Sequence, residues 1–335
     1  MHCIFACLKK SPFCGEHQYK IVRKAGKKKK QVPHRQFATI PIGPQLQALW
    51  RSPESATNLC DRIGCTEKHL TERQSPEGIQ TYDDVCCGSN YLDLIESRKI
   101  NENDMILSFS IDGVQLYPDK KSDTWFGVFI VLDFTPELQF KKDAVLPTVI
   151  IPGPNPLKHP DSFLFPTFSH LAACQHLSLK IWESINRTVY KSVPWTLFFG
   201  ADTVRMALLN GWVGHHGQNG CRLSCPMRGQ HKRGCATYYP VLLKPHGPLP
   251  ADSGHPDIDI NSINLPEVKE YNECLALVLA SSSQNQYKQQ CEETGISKLS
   301  LLSGLPKSIP VPKCFPADTM HLFGLNIPAL LMDLW

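Results

Sequence analysis

The sequence contains no apolar run long enough to cross a bilayer. Its longest runs, such as FGVFIVL at Phe126–Leu132, fall far short of the roughly 20 residues that a spanning helix needs. The N-terminus lacks an apolar core followed by a small-residue cleavage site, so it does not read as a secretory signal. Without such a signal, the fourteen cysteines are expected to be free thiols or metal ligands in a reducing compartment, not disulfide partners. The Asn186-Arg187-Thr188 sequon then carries no glycan. No internal repeat is present, which sets aside a solenoid. Acidic residues are nearly missing from the first fifty positions, where ten Lys/Arg face one carboxylate, Glu16.

What is present has a clear order along the 335 residues. Residues 1–45 form a basic, Cys-containing arm with the run Lys27-Lys28-Lys29-Lys30 and Pro33, Pro41 and Pro44. Such an arm suits nucleic-acid contact or nuclear targeting, and equally a solvated, disordered tail. Cys3, Cys7 and Cys14 lie in it without a defined fourth ligand. Residues 46–104 read as a helical lead-in, with "PQLQALWR" and "SNYLDLIES" as helices and Asn90 as a cap for the second. Residues 105–213 hold three strand-like segments, then a helix, a strand and a short helix. In the first segment Leu107, Phe109 and Ile111 share one face while Ser108, Ser110 and Asp112 share the other. "AVLPTVII" contains Pro147, which suits an edge or a bulge. Apolar spacing at Leu171, Cys174, Leu177, Ile181 and Ile185 predicts one long helix. "PWTLFF" reads as the fourth strand, and the helix after it ends at Asn210-Gly211. The order β-β-β-α-β-α predicts an α/β or α+β sheet domain. Residues 214–244 are a His/Cys-rich insertion. Residues 245–335 are a linker and a helical region whose pattern fades in "SSSQNQYKQQ". The final apolar helix-like segment stops at Trp335, so the chain is expected to be a fragment. Trp125, Trp182, Trp195 and Trp212 are expected in the core.

Two carboxylates carry the chemistry. Asp112 sits in "MILSFSIDGVQLY", where Asp-Gly between alternating arms is a strong hairpin signal; the alternative is a ligand at a strand end. Asp202 in "WTLFFGADTVRM" follows a strand and precedes a helix, so it reads as an N-cap or as a second ligand. Two acids at the ends of separate strands of one sheet can converge. They then repel unless a cation sits between them, and a hard ion such as Mg²⁺ takes oxygen ligands of this kind.

Several long stretches, in the same order, resemble the CACTA-type (En/Spm-like) DNA transposases of the form found in mushroom-forming fungi. The first is "DMILSFSIDGVQLYPDKKSDTWFGVFIVLDFTPELQFKKDAVLPTVIIPGPNPLKHPDSFLFP". Others are "ADTVRMALLNGWVGHHGQNGCRLSCPMRGQHKRG", "YYPVLLKP", "FPADTMHLFGLNIPALLMDLW" and the upstream "IPIGPQLQALWRSPESA". Together they cover residues 36–335. The resemblance implies an RNase H-like mixed sheet flanked by helices, with an acidic triad that binds two divalent ions, Mg²⁺ or Mn²⁺. It implies a nuclear protein that cuts transposon-end DNA and joins it to a target, with a second copy of the chain as a further candidate partner. Asp112 matches the family's first acid and Asp202 its second. Where many relatives carry Glu before Asn in a Met-His-x-x-x-Glu-Asn pattern, this sequence has Leu325 before Asn326. Leucine ligates no metal, and Asp318 is the nearest acid to take the third place. The departure keeps a second reading open: a catalytically dead, zinc-stabilised DNA-binding module or degenerate transposon remnant.

The stretch "GHHGQNGCRLSCPMRGQHKRGC" holds His215, His216, Cys221, Cys225, His231 and Cys235. Three residues separate Cys221 from Cys225, and three separate His231 from Cys235, within the pair spacing of zinc sites. A structural Zn²⁺ and a loop of free thiols are both open. The family's later His ligands add His321 as a candidate. Arg222, Arg228, Lys232 and Arg233 surround the cluster and favour a phosphate backbone.

Overall fold

The computed structural model describes residues 36–116, 123–153, 160–202, 205–214, 216–221, 227–230, 259–264 and 267–317, with residues 10, 17, 19–22, 29–33, 238, 324 and 327–334 as shorter pieces. Within the basic arm, β1 (Tyr19–Val22) pairs antiparallel with β2 (Lys30–Pro33). After the short β3 (Ala38–Thr39) come four helices, α1 (Ile42–Leu49), α2 (Pro53–Asn58), α3 (Asp61–Gln74) and α4 (Ser89–Glu96). The sheet region follows as β4 (Met105–Gln115), β5 (Asp123–Val131), α5 (Pro136–Gln139), β6 (Val145–Ile151), α6 (Asp161–Leu177), β7 (Leu179–Glu183), β8 (Thr188–Ser192), β9 (Pro194–Ala201) and α7 (Met206–Asn210). Three more helices complete the described chain, α8 (Val268–Leu279), α9 (Gln284–Thr294) and α10 (Ile327–Leu334).

The protein is mixed α/β. Its main sheet has five strands in the order β3-β6-β5-β4-β9. β4 runs antiparallel to β5, and β5 and β3 run antiparallel to β6, but β4 runs parallel to β9. Alternation sets which face of β4 is buried. Leu107, Phe109 and Ile111 are buried while Ser108, Ser110 and Asp112 are less so. The Phe109 ring meets Phe129 at 5.2 Å and, on α6, Phe168 at 4.9 Å between centroids, both edge-on. Such pairs add about 0.5–1.5 kcal/mol each beyond the area they bury. Gly127 leaves room for this packing, since a Cβ there would lie 2.5 Å from Val149 Cγ1 and 3.1 Å from Phe109 Cζ. Opposite Gly127 and Val128 the register of β6 skips Thr148, a bulge beside Pro147 as the proline suggests.

The outer edge of β9 is covered by an irregular segment. Thr196 N–H donates to Lys307 O at 3.1 Å, Ile309 N–H to Thr196 O at 3.3 Å and Phe199 N–H to Cys314 O at 2.9 Å. Gln175 on α6 donates to the carbonyls of Pro194 and Lys307 at 3.0 and 2.9 Å, tying helix, strand and segment together. One apolar cluster runs from Ile42 in α1 through the sheet to Phe315.

Five local expectations are corrected. Asp112-Gly113 is not a hairpin tip: β4 continues to Gln115, with Asp112 opposite Phe126 and Gly113 opposite Trp125. The long helix stops at Leu177. Ser178 takes φ 57°, a left-handed conformation that a helix cannot continue through, and Ile181 lies in a β7–β8 hairpin. Trp182 on that hairpin is 46% exposed rather than core. Asn90 lies inside α4, whose N-cap is Gly88, and "SSSQNQYKQQ" begins α9, capped by the Ser283 side chain.

Buried charge holds the lead-in helices to the sheet. Arg62 on α3 donates from Nε to Asp133 Oδ1 at 2.7 Å, from Nη1 to the Tyr91 hydroxyl at 2.9 Å and from Nη2 to the carbonyls of Glu102 and Asp104 at 2.9 and 2.8 Å. Asp133 Oδ2 accepts from Ile106 N–H at 2.7 Å. The side chains of Arg62 and Asp133 are 3% and 4% exposed. Burial opposes the Arg62 charge, yet Asp133 and Tyr91 outweigh it and hold the guanidinium protonated above its usual range. Removing one member of such a pair strands the other charge in the core. Arg62→Ala is therefore expected to lower the unfolding free energy by about 3–5 kcal/mol, read from urea denaturation. The double variant Arg62→Met/Asp133→Leu should recover most of that loss.

Candidate functional site

Two strand ends create the site. The parallel register pairs Ser110 with Gly200 and Ile111 with Ala201. Asp112 and Asp202 are the next residues along the two strands, so two acids lie side by side where the β4–β9 pairing ends. Asp112 still belongs to β4, and its Oδ1 accepts from Gly113 N–H at 2.6 Å. Asp202 lies just beyond β9. Its Oδ1 accepts from Arg205 N–H at 2.9 Å, and its carbonyl accepts from Arg205 and Met206 N–H at 3.1 and 2.9 Å. Asp202 is not the N-cap of α7, which is Arg205 with no side-chain cap; its side chain instead holds the Arg205 N–H just ahead of the helix.

A cation lies between the acids. Arg205 reaches Asp112 Oδ1 from Nη1 at 2.5 Å and Asp202 Oδ2 from Nε at 3.5 Å. Its guanidinium also covers the Trp125 ring at 4.3 Å from the centroid. Gly113 makes this approach possible: a Cβ there would meet Nη1 at 3.0 Å. Gly113 therefore clears space for Arg205; it does not let the chain leave the strand, which continues to Gln115. Nothing in the sequence pattern singled out Arg205 or gave Trp125 a role beyond the core. The signal was available in "DTVR", where a cation three residues past an acid at a strand end can turn back onto it.

Exposure decides what this cluster is for. The Asp112 side chain is 60% exposed, against 26% for Asp202 and 25% for Arg205. Ion pairs this open contribute about 0–1 kcal/mol, so the fold does not need the acids. Chemically, two carboxylates beside one cation are what a hard divalent ion takes as ligands. Arg205 and such an ion would compete for the same oxygens.

The other expected ligands divide by where they fall. Asp318, His215, Cys225, His231, Cys235 and His321 lie outside the described residues. His216 is exposed and Cys221 half-buried. The piece they belong to is docked on α9, where the Asn219 amide donates to the carbonyls of Glu292 and Glu293 at 2.7 and 3.1 Å.

A second group was not expected from the sequence. His69 on α3, with Asp83 and Cys87 from the connection to α4, place one ligand atom each within 4.8 Å of one another. This group can hold a metal ion. His69 and Cys87 are buried and Asp83 is exposed. The three residues between Asp83 and Cys87 fall within zinc-pair spacing and were the readable signal.

These features define a class: a mixed α/β protein with an acidic strand-end site. No family model matches the chain, and no curated protein matches it.

If the acid pair serves ligands and not the fold, Asp112→Asn leaves stability nearly untouched. The expected change in unfolding free energy is under about 1 kcal/mol, measured by urea denaturation beside the parent.

Proposed function

We propose that the chain is a transposase-type DNA nuclease and strand-transferase in which Asp112 and Asp202 hold two divalent ions, Mg²⁺ or Mn²⁺. The observation that carries this reading is that one acid on each strand, Asp112 within β4 and Asp202 just past β9, follows the last parallel pair, Ile111 with Ala201, and that one guanidinium joins them. The strand order also supports it. Three successive antiparallel strands, β4, β5 and β6, are followed by α6 and later by β9, which returns parallel to the first. That order suits the RNase H-like fold which the resemblance to CACTA-type transposases implies.

The donor set fits a hard ion, because both ligands are carboxylates. Ions held by Asp112 and Asp202 would supply activation of a water or a 3′-hydroxyl and stabilisation of the leaving oxygen of a phosphodiester. The chain's own residues position them. β4 presents Asp112, with one oxygen steadied by the Gly113 N–H, and the turn into α7 steadies Asp202. Arg205 holds the acids together before ions enter. Its planar fork also matches phosphate, so with the acids on metal it would be available to the DNA backbone. Asp318 is assigned the third acid, the cluster around Cys221 and Cys225 a structural Zn²⁺, and the basic arm the DNA backbone of transposon ends and target. Work of this kind places the protein in the nucleus.

A second reading is favoured by the same Arg205, whose guanidinium already lies between the acids, together with Leu325 in the third-acid position. It makes the chain a zinc-stabilised DNA-binding module that does not cut. Incubation with labelled transposon-end DNA and Mg²⁺ or Mn²⁺ separates the two. The nuclease reading expects cleavage by the parent and none by Asp112→Ala or Asp202→Ala, with salt-dependent DNA binding retained by all three. Binding without cleavage, identical in parent and Asp112→Ala, selects the second reading. Loss of both cleavage and salt-dependent binding in the parent removes both.

A further inference from the structure

We infer that His69, Asp83 and Cys87 form a zinc site that pins the connection between α3 and α4, separate from the acid pair and independent of the reading above. None of its residues belongs to β4, β9 or the 214–244 insertion. Three observations converge on it.

The first is geometry. One ligand atom from each residue lies within 4.8 Å of the others, near enough for small side-chain movements to bring all three onto one ion with bonds of about 2.0–2.3 Å. The second is the orientation of His69. Its side chain is 2% exposed. Nδ1 lies 3.0 Å from Glu72 Oε2 and Nε2 lies 3.6 Å from Asp83 Oδ1. A metal-bound histidine commonly gives its other ring N–H to a carboxylate, which fixes the tautomer and leaves the far nitrogen unprotonated and aimed at the ion. Glu72, one helical turn along from His69, is placed to do this. The third is the chain around the site. From Ser75 to Asp84 there is no helix or strand. Asp83 and Cys87 flank Cys86, which is 0% exposed in the core. Asp84 stabilises the turn between them, accepting from Val85 N–H at 2.6 Å and from the Gln139 amide at 3.2 Å. The backbone is thus arranged to present two ligands to a third on a helix.

The donor chemistry selects the metal. A thiolate, an imidazole and a carboxylate suit Zn²⁺, whereas Mg²⁺ and Ca²⁺ take oxygen donors alone. Asp83 is on the solvent side, so a water completes four-coordination there. Binding converts the Cys87 thiol to thiolate and releases its proton to solvent. The ion would add a direct link between helix and loop to the core packing of Cys86.

The test uses the full chain and Zn²⁺ alone. Bound zinc is counted after gel filtration for the parent, Asp83→Asn and Cys87→Ser. The parent should retain one equivalent more than either variant. Any zinc held by the His/Cys insertion is common to all three and cancels. Asp83 is exposed, so Asp83→Asn keeps the fold even if Cys87→Ser does not. Glu72→Gln should keep the site but weaken it by about 10–100-fold, an effect a purely structural glutamate would not have. Equal zinc content in the parent and Asp83→Asn, with the same melting-temperature response to Zn²⁺, overturns the proposal.

Discussion

The parallel pairing of β4 with β9 is the constraint on which the acidic site depends. Antiparallel neighbours put the start of one strand beside the end of the next. A parallel pair puts two ends together, and needs a long connection to do so. Here that connection includes β5, β6, α6 and the β7–β8 hairpin. It returns the chain in a register that sets Ile111 against Ala201. Asp112 and Asp202 then follow as neighbours where the parallel pairing ends, although far apart in sequence. A register shifted by one residue would turn one acid to the opposite face, so the site rests on the same apolar alternation that builds the core.

The two ends of β4 use one chemistry for opposite purposes. At its start, Asp133 and Arg62 are enclosed, with their hydrogen-bonding groups used on neighbours. At its far end, Asp112 and Arg205 form the same kind of pair in the open. Enclosure makes the first pair part of the framework. Access to water makes the second exchangeable, because a competing cation can replace the guanidinium without exposing a buried charge. Trp125 and the missing side chain at Gly113 shape where Arg205 rests.

Much of this was legible in residue patterns. The face of β4, the strands around Val128 and Leu197, the bulge at Pro147 and the end of α7 at Gly211 all follow from alternation or from one residue's backbone preference. The stop of α6 was not legible, because Leu177, Ile181 and Ile185 continue a helical spacing and only the conformation of Ser178 breaks it. The pairing of Asp112 with Asp202 was readable as an idea but not as a distance, since no local pattern encodes strand neighbours. Arg205 was missed because its role comes from that pairing. The His69 group was missed for a related reason: His69 reads as one polar residue on a mostly polar helix until the loop folds Asp83 and Cys87 back over it.

The Arg62 hub has a consequence for where this fold begins. Its four donors reach a side chain after β5, a hydroxyl on α4 and two carbonyls just ahead of β4. A chain started at Met105 would contain every strand of the β6-β5-β4-β9 array, yet it would leave an anion enclosed with no counter-ion. The unit that can stand alone is therefore set by charge neutrality, and the helices before the sheet are its other half.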